Sequence, residues 1–173
     1  CAREPLWVAH IAAAGVGPDS QNVRLAPLQS HDFATPDGLS GARYWPKMRC
    51  DDGGNRCEIG ESGGPGELCG VAGCAPPVDT KFEASFGTGG VDWVDISLVD
   101  GFTLPFKLEL RGNCSADSKV VDCSGLSFEQ CPTAEHLAGA VEDLRVVRPD
   151  TRQVVGCASP CSKLTLGQWG AAV

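Results

Sequence analysis

Acidic side chains near the middle of the chain are the residues best suited to do chemistry. Asp95 alternates with Trp93 and Ser97, whereas Val94 and Ile96 fall on the other side of the same predicted strand. A carboxylate accepts hydrogen bonds from sugar hydroxyls, and an aromatic ring on the same face can stack on a sugar ring. The pattern therefore predicts a carbohydrate-binding face around Asp95.

The local sequence also allows an interpretation of three further charged residues. Arg43 can form a bidentate bridge with Asp95 or with Asp100 and so fix the geometry of a carboxylate. Asp100 precedes Gly101 in a predicted turn, where capping of that turn and a place in a binding site are equally consistent with the sequence. Glu83, judged by its neighbours alone, is a solvated residue of a strand.

Two carboxylates on neighbouring strands also allow a catalytic interpretation. Retaining glycosidases hold their two carboxyl groups about 5 Å apart, and inverting enzymes hold them roughly 6.5–9.5 Å apart. Glu83 and Asp95 can satisfy either condition if their strands are adjacent. The sequence leaves both arrangements open.

The elements that must position these residues are short strands. Glycine and proline, 22 and 12 of the 173 residues, divide the chain into brief segments, as in a mainly β fold with many turns. Strands are predicted at Leu6–Ala14, at Ala42–Trp45, and across Thr80–Leu110 as an antiparallel pair joined at Asp100-Gly101. The other predictions are tight loops over Cys50–Pro77, a helix around Pro132–Leu144, and a small hairpin joining Val146-Val147 to Val154-Val155.

The cysteines indicate the environment in which this fold forms. Cytosolic thiols are kept reduced and are few, so ten cysteines predict structural disulfides and a secreted, extracellular protein. The spacing lacks paired CxxC knuckles with nearby histidines, which argues against zinc, and no metal or cofactor is expected. Because the chain starts at Cys1 rather than Met, we expect a removed signal peptide or a trimmed sequence.

The charge balance restricts the partners. A nucleic-acid-binding protein usually presents a basic face, whereas this chain has a net charge of −8. No apolar run approaches the roughly 20 residues needed to cross a membrane, so membrane contact is not encoded in this chain. We expect a monomer that does not bind nucleic acid, while contact with a membrane stays open although this chain does not encode it.

The segment Val94-Asp95-Ile96-Ser97-Leu98-Val99-Asp100-Gly101-Phe102-Thr103-Leu104-Pro105 resembles the central motif of the thaumatin-like family, the group 5 pathogenesis-related proteins. It differs from that motif only at Thr103, where asparagine is usual. The stretch Ala42-Arg43-Tyr44-Trp45 is similar to a strand of the family, and the resemblance covers nearly the whole chain. The departures are Pro46–Arg49 and an apparent insertion at Thr133–Glu142.

The resemblance implies a set of disulfides that this chain closes only in part. The pairs that can close are Cys50–Cys57, Cys69–Cys74 and Cys131–Cys157. The family partners of the other four cysteines lie further downstream; these four are Cys1, Cys114, Cys123 and Cys161. We therefore expect a C-terminal truncation. The alternative is a natural short form with re-paired cysteines, for example Cys114 with Cys123.

The resemblance also implies a domain plan and a site. A thaumatin-like β-sandwich core is expected at residues 1–112, with disulfide loops at 50–77, beside a partial cysteine-rich second domain at 113–173. An acidic cleft lies between the two, and its residues fall on Arg43, Glu83, Asp95 and Asp100. A fifth cleft residue of the family, an aspartate, has no counterpart here. In the catalytic interpretation, Glu83 and Asp95 are the reacting carboxyl groups.

Three classes of function follow from the resemblance. The first is a secreted, antifungal, defence-type protein that binds β-1,3-glucan or another cell-wall carbohydrate in the acidic cleft. The second is a weak endo-β-1,3-glucanase. The third is a protein-interaction module, either a hydrolase inhibitor that uses the Thr133–Glu142 stretch or a receptor ectodomain. Sweet taste depends on a basic surface in the few members that have it, and the charge of −8 argues against it.

Overall fold

The computed structural model describes residues 3–13, 15–113, 115 and 119–165, and within them the protein is mainly β. All strand pairs are antiparallel, and they form four sheets. A 3₁₀ turn at Phe128–Gln130 and the helix α1, Pro160–Thr165, are the helical elements of this part. The strands are β1 Leu6–Ala12, β2 Val23–Leu25, β3 Ala42–Met48, β4 Lys81–Thr88, β5 Val91–Ser97, β6 Gly101–Phe102, β7 Phe106–Glu109, β8 Val120–Cys123, β9 Glu135–Leu137, β10 Ala140–Glu142, β11 Arg145–Val147 and β12 Val154–Ala158.

The largest sheet has five strands in the order β2-β1-β3-β4-β5. One of its faces carries aromatic side chains, and an apolar groove there is lined by residues that include Tyr44, Phe82 and Phe106 of β7. The other face carries Arg43, Glu83 and Asp95. Alternation along each strand separates the two sets, because successive side chains of a strand point to opposite faces.

Strand β3 is longer than the sequence predicted, since it continues past Trp45 to Met48. It runs through Pro46, which pairs with Val8 of β1. Proline is tolerated at the edge of a sheet, where its missing N–H is not needed. That condition is met here, because on this edge β4 pairs with β3 only at Ala42–Tyr44 and the next bridge, to Ile59, is at Met48.

The predicted pairing within Thr80–Leu110 is wrong. Strand β5 pairs with β4 across a turn at Gly89-Gly90, and β7 pairs with β8. Both glycines have positive φ, 67° and 80°, as a two-residue hairpin turn requires. The turn at Asp100-Gly101 instead leads into β6, which joins β11 and β12 in a three-stranded sheet.

The predicted helix around Pro132–Leu144 is also wrong. This stretch forms the hairpin of β9 and β10, in which Leu137 pairs with Ala140. Ala138 and Gly139 have φ of 47° and 88°, so both turn residues lie in the left-handed region. Helix-forming alanine, glutamate and leucine suggested a helix, and the turn overrides that preference. The predicted hairpin of Val146-Val147 with Val154-Val155 is confirmed as β11 and β12.

Disulfides and a small apolar core hold the loops against the sheets. The described cysteines form the bonds Cys50–Cys57, Cys69–Cys74 and Cys131–Cys157, the pairs that the family resemblance implies. Cys123 and Cys161 have free thiols, and Cys1 and Cys114 lie outside the described residues. A buried cluster packs the 50–79 segment onto the three-stranded sheet; it consists of Ile59, Val78, Val146, Val155 and Ala158.

The division of the chain at residues 112 and 113 stays a prediction. The two segments are in contact, because β6 pairs with β12 and the Arg148 side chain donates a 2.9 Å hydrogen bond to the Cys57 carbonyl. No helix within the described ranges has the length and apolar character needed to span a bilayer.

Candidate functional site

Arg43, Glu83 and Asp95 form one row across the middle of the five-stranded sheet. Arg43 of β3 lies opposite Glu83 of β4, which lies opposite Asp95 of β5. Residues directly opposite each other in an antiparallel pair have their side chains on the same face, with Cβ atoms about 4.5–5.5 Å apart. The strand register therefore brings the three sequence-predicted residues together. We call them the polar row.

Arg43 pairs with the carboxylate next to it in the row. Its Nε donates to Glu83 Oε1 at 2.6 Å, and the two side chains are 51% and 29% exposed. The predicted bridge to Asp95 or Asp100 is therefore replaced by a bond to Glu83. This pair fixes the orientation of Glu83 and leaves its second oxygen available to a ligand.

Asp95 is the carboxylate of the row that has no partner in the described part of the chain. Its side chain makes no hydrogen bond or ion pair with the residues described there. Loss of hydration raises the pKa of Asp95, and the negative charge of Glu83 raises it further. An exposed, unpaired carboxyl beside a paired one can accept hydrogen bonds from hydroxyl groups or donate a proton.

Asp100 is linked to the polar row by Lys81, a residue that the sequence analysis did not identify. Lys81 Nζ donates to Asp100 Oδ2 at 2.5 Å and to the Pro77 carbonyl at 3.0 Å. Lys81 lies two positions before Glu83 on β4, and this spacing in a strand was the signal that could have placed it on the same face. The Asp100 carboxylate thus binds a lysine of the sheet at the end of the row.

Trp93 and Ser97, the predicted companions of Asp95, have different environments. Trp93 is 68% exposed and lies opposite Ser85 at the open end of the face, whereas Ser97 is buried. Trp93 and Asp95 are two residues apart on the edge strand β5, so their side chains share a face. A large aromatic surface is therefore available to a ligand beside the unpaired carboxyl.

The other end of the same face is covered by the disulfide-bonded 50–79 segment. Trp45 and Lys47 follow Arg43 at two-residue spacing on β3 and are both buried. The Trp45 indole N–H bonds to the Gly60 carbonyl at 3.3 Å. Lys47 Nζ donates to Glu67 Oε1 at 2.5 Å, to Asn22 Oδ1 at 2.6 Å and to the Gly54 carbonyl at 2.6 Å.

Two acidic residues of this segment are also buried, and the sequence analysis identified neither. Asp79 accepts a hydrogen bond from the Ser62 hydroxyl, and complete burial raises the pKa of Asp79 to about 6. Burial also raises the pKa of Glu61, whose Oε2 receives a 3.3 Å bond from Arg148 Nη1. These contacts hold the segment in place and leave only the half of the face with the polar row open to solvent.

The half of the face that is open to solvent carries one net negative charge. Arg43 and Lys81 balance two of the three carboxylates contributed by Glu83, Asp95 and Asp100. Alternating donors and acceptors beside an exposed indole suit a ligand with many hydroxyl groups. Within the described ranges, no group of three or more metal-binding side chains is present.

Comparison with known proteins places the chain in a family. It matches the model of the thaumatin family over residues 1–168. It is 30% identical over 167 residues to "Pathogenesis-related protein 5" of Arabidopsis thaliana, covering 95% of this chain and 63% of that protein. It is 31% identical over 169 residues to "Thaumatin-like protein 1" of Pyrus pyrifolia, covering 95% and 64%.

A third relative is the "Osmotin-like protein" of Solanum lycopersicum, 31% identical over 142 residues, with 79% of this chain and 52% of that protein covered. The chain thus spans 63–64% of the length of the first two relatives. The match to the family model includes all the strands described above. The chain belongs to the thaumatin family.

Proposed function

We propose that this protein is a secreted, defence-type protein that binds β-1,3-glucan of fungal cell walls along the polar row. The observation that carries this proposal is the register that places Arg43, Glu83 and Asp95 on one exposed face beside Trp93. The names of its relatives, "Pathogenesis-related protein 5" among them, support a role in defence. The three disulfides support an oxidising compartment and therefore secretion.

Each residue of the row has a part in binding. The Arg43 guanidinium holds Glu83 in one orientation, so that little side-chain entropy is lost when a sugar hydroxyl binds it. Asp95 accepts a second hydroxyl, and Trp93 stacks on the ring of a neighbouring sugar. The row crosses two strand spacings, about 10 Å, which favours an extended chain over a single small ligand.

The binding test uses laminarin, a soluble β-1,3-glucan, titrated into the oxidised protein by calorimetry. Asp95→Asn should weaken binding roughly tenfold, because a hydrogen bond to a charged group contributes about 1.5–3 kcal/mol. The matched control is Glu58→Gln, which removes an exposed acid bound to Arg49 on another part of the surface and should leave the affinity unchanged. Equal affinities for all three proteins, or no binding at all, would contradict the proposal.

The second candidate function is weak endo-β-1,3-glucanase activity. The observation that favours it is the pairing of Glu83, which Arg43 neutralises, with Asp95, whose pKa is raised. Directly opposite residues have Cβ atoms about 4.5–5.5 Å apart, which allows the two carboxyl groups to reach the roughly 5 Å separation of retaining enzymes, with Asp95 as acid and Glu83 as nucleophile. Release of reducing ends from laminarin that is lost in Glu83→Gln while binding persists would support the enzyme. Binding without release would leave a binder only.

The laminarin titration also tests the alternative that this protein is a protein-interaction module. The hairpin of β9 and β10 would have to carry the contact in an inhibitor, and it lies outside the polar row. Substitution of Val141, which is 59% exposed on that hairpin, should not change laminarin binding. A loss of laminarin binding in Val141→Ser would contradict the assignment of the site to the row.

A further inference from the structure

A polar cavity of about 480 Å³ lies apart from the polar row. Its wall combines the end of β10, strand β11, the loop that follows β11 and the helix α1. The lining residues are Glu142, Asp143, Arg145, Val147, Pro149, Arg152 and Lys163. Glu142 ends the Thr133–Glu142 stretch, which the family resemblance leads us to expect to be an insertion.

The charge of this cavity is opposite to that of the protein. Three cationic side chains and two carboxylates line it, which leaves one excess positive charge, whereas the whole chain has a net charge of −8. Val147 and Pro149 supply apolar surface between the charged groups. A cavity of this kind tolerates one negative group on its ligand and offers acceptors for hydroxyls.

Two of the charged groups are held rigidly by each other. Arg145 donates from Nε to both Asp143 oxygens, at 3.0 and 3.1 Å, and from Nη2 to Oδ2 at 2.6 Å. The backbone N–H of Arg145 adds a 2.9 Å bond to Oδ1. These bonds lower the pKa of Asp143 and keep it ionised. The pair is therefore a preformed part of the wall, with the remaining lone pairs of Asp143 open to a ligand.

Arg152 is presented by a turn that is also rigid. Arg148 forms a two-pronged bond with Asp150 at 3.0 and 3.1 Å, and the Arg152 N–H bonds to the Arg148 carbonyl at 3.0 Å. Arg152 itself has a φ of 60°, in the left-handed region that a long side chain seldom adopts. Among the described residues, no carboxylate lies within ion-pair distance of its guanidinium.

Lys163 supplies the third cation from the last turn of α1. Its side chain is 4% exposed, and its Nζ lies 3.8 Å from Glu142 Oε2. This separation is long for an ion pair, so Lys163 offsets the negative charge of Glu142 only in part. Because Glu142 and Asp143 both face the space, a phosphate dianion would meet repulsion, whereas a single carboxylate with neighbouring hydroxyls finds partners of both kinds.

We propose that this cavity binds a carboxylate-bearing sugar, a uronate unit, with its carboxylate on Arg152 and its hydroxyls on Asp143. The site is distinct from the polar row, and the proposal does not depend on glucan binding there. It adds an acidic polysaccharide to the proposed partners of this protein, recognised through the cavity at the end of β10.

The test is calorimetric titration of the oxidised protein with digalacturonate at low ionic strength, beside cellobiose as a neutral disaccharide. Digalacturonate should bind and cellobiose should not. Arg152→Gln should weaken digalacturonate binding at least tenfold, while Arg152→Lys keeps the charge and should retain most of it. Arg56→Gln is the matched control, because Arg56 is an exposed arginine on a different surface and its loss should have no effect.

A second variant reports the sign of the ligand charge. Glu142→Gln removes a repulsive charge and should strengthen digalacturonate binding about two- to threefold by reducing like-charge repulsion. Weaker binding in this variant, equal binding of cellobiose, or an unchanged affinity in Arg152→Gln would overturn the proposal. So would the absence of binding to the unsubstituted protein. Laminarin affinity measured on Arg152→Gln should be unchanged, which separates this site from the polar row.

Discussion

The two ends of one sheet face place similar ion pairs in opposite environments. At the open end, Arg43 and Glu83 are 51% and 29% exposed, whereas at the covered end Lys47 and Glu67 are 0% and 3% exposed. Both cations lie on β3, four residues apart and on the same side. The disulfide-bonded 50–79 segment makes the difference, because it covers only one of the two ends.

The comparison separates residues that hold the fold from residues available to a ligand. An exposed ion pair contributes little to stability, typically 0–1 kcal/mol, because water solvates its members well when they are apart. A buried pair is costly to break, since removal of one partner leaves the other charge unsolvated. We therefore expect substitutions at the covered end to change stability and those at the open end to change binding.

The largest effect should come from Lys47→Met. The change leaves Glu67 buried without its cation and should lower the free energy of unfolding by about 3–5 kcal/mol. Urea denaturation at pH 7 measures it. The double variant Lys47→Met/Glu67→Leu removes both charges and should recover most of the loss. A single variant as stable as the unsubstituted protein would show that the pair is not buried in solution.

The next effect is the pH dependence that Asp79 contributes. Its pKa in the folded protein is about 6, above the ordinary value of 3.8, so the folded state binds the proton more tightly than the unfolded state. The contribution to stability is therefore greatest below about pH 4 and is lost as pH rises through 6, by about 2–3 kcal/mol in all. The neighbouring groups that interact with this carboxyl, by hydrogen bond or by charge, are Ser62, Lys47, Lys81 and Glu67.

Asp79→Asn should remove this dependence. Relative to the unsubstituted protein, the free energy of unfolding of the variant should increase by about 2–3 kcal/mol between pH 4 and pH 7. Urea denaturation of both proteins at the two pH values gives the difference, and titration of all other acids cancels in it. A difference that is constant with pH would mean that Asp79 has an ordinary pKa.

A smaller effect is expected for Trp93→Ala at the open end. Loss of a stacking surface should weaken laminarin binding by about 1 kcal/mol, or roughly fivefold. The stability should stay within about 0.5 kcal/mol, since the side chain is 68% exposed. Calorimetry and urea denaturation on the same sample measure both. A large loss of stability with unchanged binding would reverse the roles that we assign to the two ends.

The smallest change in stability is expected for Arg43→Ala, below about 1 kcal/mol. The exposed pair with Glu83 should add little to the fold, while laminarin binding falls because Glu83 loses its fixed orientation. The contrast with Lys47→Met is the direct comparison of the two ends. Equal destabilisation by the two substitutions would contradict the difference in burial on which the comparison rests.

The sequence predicted the mainly β fold, and its resemblance to the thaumatin-like family grouped Arg43, Glu83, Asp95 and Asp100 in one candidate site. It did not predict the bond from Arg43 to Glu83, because strand partners are set by the register of the whole sheet. The hairpin of β9 and β10 was missed for a related reason. Its residues favour a helix, and the positive φ of Ala138 and Gly139 is visible only in the folded chain.

The covered end was the hardest part to predict. Lys47, Glu61 and Asp79 belong to residue types that are nearly always exposed, so nothing in their local sequence indicates burial. Their burial results from the path of the 50–79 segment, which brings charges distant in sequence into contact. Arg148 and Cys57, for example, are hydrogen-bonded across a separation of 91 residues.

The contact at Gly101 links the polar row to a disulfide. A Cβ atom at this position would lie 2.1 Å from the Cys157 carbonyl oxygen, so only glycine allows β6 to pair there with β12. The preceding residue, Asp100, accepts a 3.0 Å backbone bond from Ser159, next to that strand. Cys157 is bonded to Cys131. We therefore expect reduction of the Cys131–Cys157 bond to loosen β12 and to weaken the backbone contact that holds Asp100 beside the row.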